Sequence, residues 1–246
     1  MSPLQLPSGS TPLHVGFIAL TVALGGLFIA AVYWSSLRTG LSPQGAVQRS
    51  AIAALSAVAW IALTGLAASR GLLHFSAPPT MLVALVLSIV LAVALALSPI
   101  GRQIALGLPV VALVGYQGFR VIVELLMHRA YSEGLMPVQM SYSGRNFDII
   151  TGITALALGA WLATGRSSRK LLAAWNTLGV VLLLNILGVA LLSAPTPMRL
   201  FMNEPANDWI TRAPWVWLPT VMVFAAVFGH VVLYRHLVSQ KMMPSS

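Results

Sequence analysis

The feature that most constrains this chain is its seven long apolar runs. They cover residues 13–34, 50–69, 80–98, 104–128, 147–164, 171–192 and 214–237. An α-helix rises 1.5 Å per residue, so about 20 residues cross the roughly 30 Å of hydrocarbon in a bilayer. Backbone donors and acceptors find no water there, and uninterrupted runs of this length must therefore be helical. None of the runs alternates strictly between apolar and polar residues, which argues against an outer-membrane β-barrel. Composition agrees: 58% of residues are hydrophobic and 8% charged, against about 25% charged in a soluble domain. The expected fold class is all-α, a polytopic membrane helix bundle of seven transmembrane helices forming one integral-membrane domain. Residues 13–34 have no positively charged leader and are too long for a cleaved signal peptide, so they read as a retained span.

Charge sets the expected orientation. With alternating sides, Arg38, Arg49, Arg102, Arg166, Arg169, Lys170, Arg235 and Lys241 gather on one side without any acidic residue. Arg70, Arg129, Arg145, Arg199 and Arg212 fall on the other, beside Glu133, Asp148, Glu204 and Asp208. Cytoplasmic loops favour Lys and Arg, so the N-terminus is expected outside and the C-terminus inside. The uncharged tail before the first run offers no resistance to that placement. The net charge of +9 comes from scattered loop residues that meet lipid headgroups, not from a basic stripe interleaved with aromatics, and nucleic acid is not an expected partner. The bilayer, an unidentified small molecule and a second copy of the chain are.

The chain has no cysteine, which excludes thiol catalysis, disulfides and Cys-ligated metals. Its only lysines, Lys170 and Lys241, fall outside the runs, so a retinal Schiff base within a helix is excluded too. His230 is placed in the inner half of the last run, too far from His128 for the two to share a haem. No nucleophile elbow, Walker loop or dinucleotide glycine pattern occurs.

The fourth run carries the most chemistry. At 100° per residue, Gln117, Arg120, Glu124 and His128 share an arc of roughly 80°. An ionisable residue at the bilayer centre costs about 2.5–3.5 kcal/mol on insertion scales, so such a stripe faces protein or a wet cavity. Arg120 is placed in the outer half of the membrane, where Glu124 at i,i+4 can pair with it, although Arg before Glu is the weaker order; the sequence leaves open whether the two pair with each other or with the outer loops. A plain helix-locking ion pair is the alternative to a ligand pocket.

Two outer segments could complete a pocket. Arg145, Asn146 and Asp148 enter the fifth run, with Asn146 or Asp148 expected to cap its helix. Asn203 and Glu204 lie in the long connection 193–213, whose prolines and Trp209 suggest a segment lying along the membrane surface, with Trp209, Trp215 and Trp217 as headgroup anchors. Glu124, His128 and Asp148 could hold a divalent metal, although no metalloprotease-type spacing supports one. No cofactor is otherwise expected.

The segments FRVIVELLMH (119–128), GRNFDIITG (144–152), PTPMRLFMNEPAN (195–207) and PWVWLP (214–219) resemble a family of bacterial multi-pass membrane proteins described only as hypothetical. The resemblance spans about 117–235. It implies the bacterial cytoplasmic (inner) membrane and carries no role to any residue. The expected function is an outward-facing polar pocket that binds, senses or helps transport a small polar or anionic ligand. Arg120 and Arg145 would hold an anion, or be balanced by Glu124 and Asp148, and Gln117, Asn146 and Asn203 would supply hydrogen bonds. The alternative is an intramembrane enzyme acting on a lipid or lipid-linked substrate at the outer leaflet, with His128 or Glu124 as base.

Overall fold

The computed structural model describes residues 9–241, so residues 1–8 of the uncharged tail lie outside the described residues. Those residues form helices and connections without any strand. In chain order the helices are α1 (Thr11–Arg38), α2 (Pro43–Ser69), α3 (Thr80–Leu97), α4 (Pro99–Gly107), α5 (Val110–Gly115), α6 (Phe119–Ser132), α7 (Ile149–Ala163), α8 (Arg169–Ser193) and α9 (Val223–Lys241). A 3₁₀ turn, Tyr116–Gly118, joins α5 to α6, and a π-helical turn, Leu218–Met222, leads into α9. Six helical segments are long and apolar enough to cross a membrane: α1, α2, α3, Val110–Ser132, α8 and Leu218–Ser239. The chain is therefore a multi-pass membrane protein.

Local chemistry explains the boundaries. Ser10, Ser42, Ser98 and Ser168 each cap a helix N-terminus by accepting a backbone N–H, and proline follows within two residues in the first three. Proline tolerates that position because its missing N–H would have had no partner there. The expected fourth run, 104–128, splits: α4 ends at Gly107, and the crossing segment begins after Pro109. Proline disfavours helix at the preceding residue and offers no N–H of its own. Gly107 also lets α4 sit on α1, since a Cβ there would come within 2.8 Å of the Ser35 Cα.

α9 lies at the centre and packs against α3, α4, α5 and α8, while α1 packs on α2, α4 and α6. Two apolar clusters fill the bundle. One gathers Leu13, Phe17, Met127, Met136, Trp209 and Met222; the other gathers Val32, Ile104, Val114, Leu158, Leu172 and Leu233. Trp209 and Trp215 belong to the first cluster and are almost wholly buried. Trp209 meets the edge of Phe17, and Trp215 meets His14. They are core residues, not headgroup anchors, because the 193–213 connection folds onto the helix ends and brings its rings inward.

α7, with 15 residues, extends only about 22 Å. The segment before it packs within the bundle: Met136, Met140, Ser141 and Asn146 are fully buried, and Asn146 Nδ2 donates to the Met140 carbonyl (2.9 Å). Irregular backbone at membrane depth is tolerated only where protein surrounds it, and here it is surrounded.

Candidate functional site

The site is a polar layer between the two apolar clusters. Arg120 sits near the middle of Val110–Ser132, two residues beyond the 3₁₀ interruption, and is 2% exposed. This is deeper than the outer-half position expected from sequence, because the crossing segment starts at Val110 and continues past His128 to Ser132. The Arg120 guanidinium donates through Nε to Asp148 Oδ2 (2.7 Å) and through Nη2 to Asp148 Oδ1, a two-pronged ion pair. Its Nη1 donates to Nε2 of His230 (2.8 Å). Since Nε2 accepts, the His230 proton lies on Nδ1, which donates to Asn176 Oδ1 (2.7 Å);. Asn176 Nδ2 returns a bond to the His230 carbonyl (3.0 Å).

Of the two pairings that the sequence leaves open for Arg120, the one with Glu124 does not form. Asp148 takes the guanidinium, and the Glu124 Oε2 accepts instead from Asn146 Nδ2 (2.6 Å). Two features of α7 cause this. Its first turn lies close on α6, because Gly152 has no Cβ to strike the Val121 backbone, which would be only 2.7 Å away. Asp148 also gives no side-chain cap to its own helix. Asn146 takes the neighbouring turn, its Oδ1 accepting from the Asp148 N–H (3.0 Å). Glu124 Oε1 has no hydrogen-bond partner among the described residues.

A cavity of about 80 Å³ opens beside Glu124, with Arg120 and Asp148 also on its lining. The rest is apolar: Leu85 from α3, Val123 and Met127 from α6, Leu187 from α8, and Met222 from the π-helical turn. Met140 and Ile210, both buried, close it toward the end that carries the long connections. Leu85 and Leu187, on helices that both pack against α9, are only half-buried. The cavity thus lies among α3, α6, α8 and α9, with Asp148 before α7 on its lining.

The other candidates divide. Gln117 is buried and donates to the Ala226 carbonyl (3.2 Å), while its Oε1 has no partner. His128 is one turn outward from Glu124, bonded to Ser141 (2.9 Å) and stacked on Tyr142 at 4.3 Å between ring centroids. Arg145 is exposed, its guanidinium 5.2 Å from the centroid of the Phe201 ring. Exposed Asn203 donates to Gln139 Oε1 (2.8 Å), and Glu204 pairs with Arg199 at 3.0 Å. Arg145, Asn203 and Glu204 therefore lie outside the cavity lining. Among the described residues no three His, Asp or Glu side chains converge as a metal would require, so Glu124, His128 and Asp148 do not form a ligand set.

Sequence reasoning misses His230 and Asn176. It puts His230 too far inward, yet that residue lies near the middle of Leu218–Ser239 and touches Arg120. The usable signal is Asn176 itself, a lone amide in the first half of an apolar helix, which must find a partner inside the bundle.

Residues 77–238 match a protein family described as a domain of unknown function (DUF8737). The matched stretch contains the whole polar layer and leaves α1 and α2 outside. No curated protein and no solved structure matches the chain.

Proposed function

Since the chain belongs to this family of unknown function, DUF8737, we propose its function from the site itself: an intramembrane binding site for a small polar ligand, serving sensing or transport. The observation that carries the reading is the division of charge. The Arg120 charge is paired with Asp148 and also bonded to His230, whereas Glu124 lies on the cavity lining with one oxygen that no described residue bonds. An acceptor oxygen on the cavity lining offers a hydrogen bond, worth roughly 0.5–1.5 kcal/mol, to a donor that enters. The size decides the class: at about 80 Å³ the cavity falls far short of the roughly 300–1,000 Å³ of drug-sized sites. The ligand has a few heavy atoms and brings a hydrogen-bond donor, as a small amine or ammonium ion does. An anion finds no free cation on the lining, since Arg145 is elsewhere.

The interrupted helices favour function as well. Both the 3₁₀ turn before Arg120 and the π-helical turn on the cavity wall are local departures that recur at functional sites. The proposed entry is from the bilayer, between α3 and α8. Within the same reading α7 completes a seventh crossing, with the N-terminus outside, the C-terminus inside, and the bacterial cytoplasmic membrane as the location. The basic loop residues support that orientation.

The test is thermal stability of the purified protein in detergent with ammonium or methylammonium chloride, against chloride, formate and phosphate salts of sodium. The amines are expected to raise Tm for the native chain and not for Glu124→Gln. Equal stabilisation by the anions, or an unchanged amine response in Glu124→Gln, removes the proposal.

A further inference from the structure

A second cavity, of about 450 Å³, lies toward the other end of the bundle, between α1, α5 and α9. Leu27, Phe28, Ala31, Ala112 and Phe228 wall it, and Tyr116 and Gly229 close it near the middle of the bundle. Arg38 and Trp34 stand at its far end, both exposed. From Leu27 to Arg38 the lining follows α1 for about 16 Å at 1.5 Å per residue. One leaflet of hydrocarbon is about 15 Å deep. The groove therefore runs from headgroup level to the bilayer midplane.

Arg38 is the basic residue on the groove lining, and it is bonded differently from Arg49, Arg235 and Arg169 at the same end. Arg49 is bonded to Gln103, Arg235 donates to the Ala96 and Ser98 carbonyls (both 2.7 Å), and Arg169 donates to the Leu237 carbonyl (3.2 Å). Arg235 and Arg169 thereby bond carbonyls near the ends of α3 and α9, and Arg49 ties α2 to α4. Arg38 has no hydrogen bond or ion pair with any described residue. None of the five acidic residues of the chain lies at this end. An ammonium-bearing headgroup would find no carboxylate here, while a phosphate with net negative charge would meet a free guanidinium, whose planar fork suits two phosphate oxygens.

We propose that this groove binds an anionic phospholipid, one acyl chain lying along α1 and α5 and the headgroup phosphate held by Arg38. The site is independent of the Glu124 cavity, and Tyr116, whose hydroxyl donates to the Ala225 carbonyl (3.2 Å), forms its inner wall.

Native mass spectrometry of the full chain in detergent, with phosphatidylglycerol and phosphatidylcholine of equal chain length, tests the proposal. The native chain is expected to retain phosphatidylglycerol about fivefold over phosphatidylcholine, the effect of roughly one basic residue near a charged headgroup. Arg38→Gln should bring the two to parity, and Arg38→Lys should keep most of the preference. Ala112→Leu, which fills the groove from an exposed position, should abolish retention of both lipids while Tm stays unchanged; Ala30→Leu serves the same end if that variant does not fold. Parity in the native chain overturns the proposal, as does a preference that survives both Arg38→Gln and Ala112→Leu. Dimerisation that blocks lipid retention would give the groove to a second copy and overturn it equally.

Discussion

Arg120 and Asp148, 28 residues apart in sequence, meet as a two-pronged ion pair inside the bundle, both almost fully enclosed. Such a pair holds α6 to the start of α7 and leaves Glu124, one turn along α6, to face the cavity. Breaking a buried pair is far more harmful than replacing it whole, because one charge is stranded in a medium that solvates it poorly.

Asp148→Asn is therefore expected to lower unfolding stability in detergent by about 3–5 kcal/mol. Arg120→Met combined with Asp148→Leu should recover most of that loss. If Asp148→Asn unfolds like the native chain in a denaturant titration, the pair is not the tie described.

Gly179 supports His230 from α8. A Cβ at that position would come within 2.5 Å of His230 Cε1, so Gly179→Ala must push the imidazole off the Arg120 guanidinium. A loss of about 1–3 kcal/mol is expected from overpacking of this kind. Gly188, on the same helix, has open space where a Cβ would project, with nothing within 4 Å, and Gly188→Ala should be neutral or slightly stabilising. Equal melting temperatures for the two variants would contradict the packing described.

Glu133 ties the start of α1 to the end of α6. It accepts from the Ser10 N–H (2.7 Å) and hydroxyl, and pairs with Arg129. Desolvation pushes its pKa up, but the bonds from Ser10 and Arg129 outweigh this and hold it below the usual 4.5. Because the folded value is depressed, the stabilisation is complete above about pH 4.5 and fades as pH falls through the folded value. The native chain should lose Tm across that acidic window by more than Glu133→Gln does. Parallel curves for the two would show that the contact contributes nothing.

The absence of cysteine makes single-cysteine labelling a direct test of topology. Thr39→Cys and Ser167→Cys are expected to react with an impermeant maleimide from one side of the membrane, and Ser76→Cys and Ser143→Cys from the other. Labelling of Ser143→Cys and Ser167→Cys from the same side would mean that α7 does not cross.

Much of the site is legible in the sequence. Gln117, Arg120 and Glu124 all point inward as the angular spacing of the stripe requires, and all three are nearly inaccessible. Asn146 and Asp148 join them, as the cluster of polar residues before the fifth run suggests. Arg145, Asn203 and Glu204 do not, since sequence cannot tell a polar residue held among the connections from one turned into the bundle. The headgroup role expected of Trp209 fails for a related reason: an indole suits either an interface or a core, and only the path of the connection chooses between them.

Length and polarity alone dictated that this chain is a set of membrane helices with its ionisable groups turned inward, because hydrocarbon solvates neither a bare peptide group nor a charge. Which ionisable group meets which was decided by the approach of the helices. Glu124 was the nearer partner for Arg120 along the chain, but Gly152 lets α7 come against α6 and delivers Asp148 to the guanidinium, and α9 brings His230 to its other face. Spacing along one helix fixes angles around its axis; distances across the bundle depend on backbone contacts that no single helix encodes.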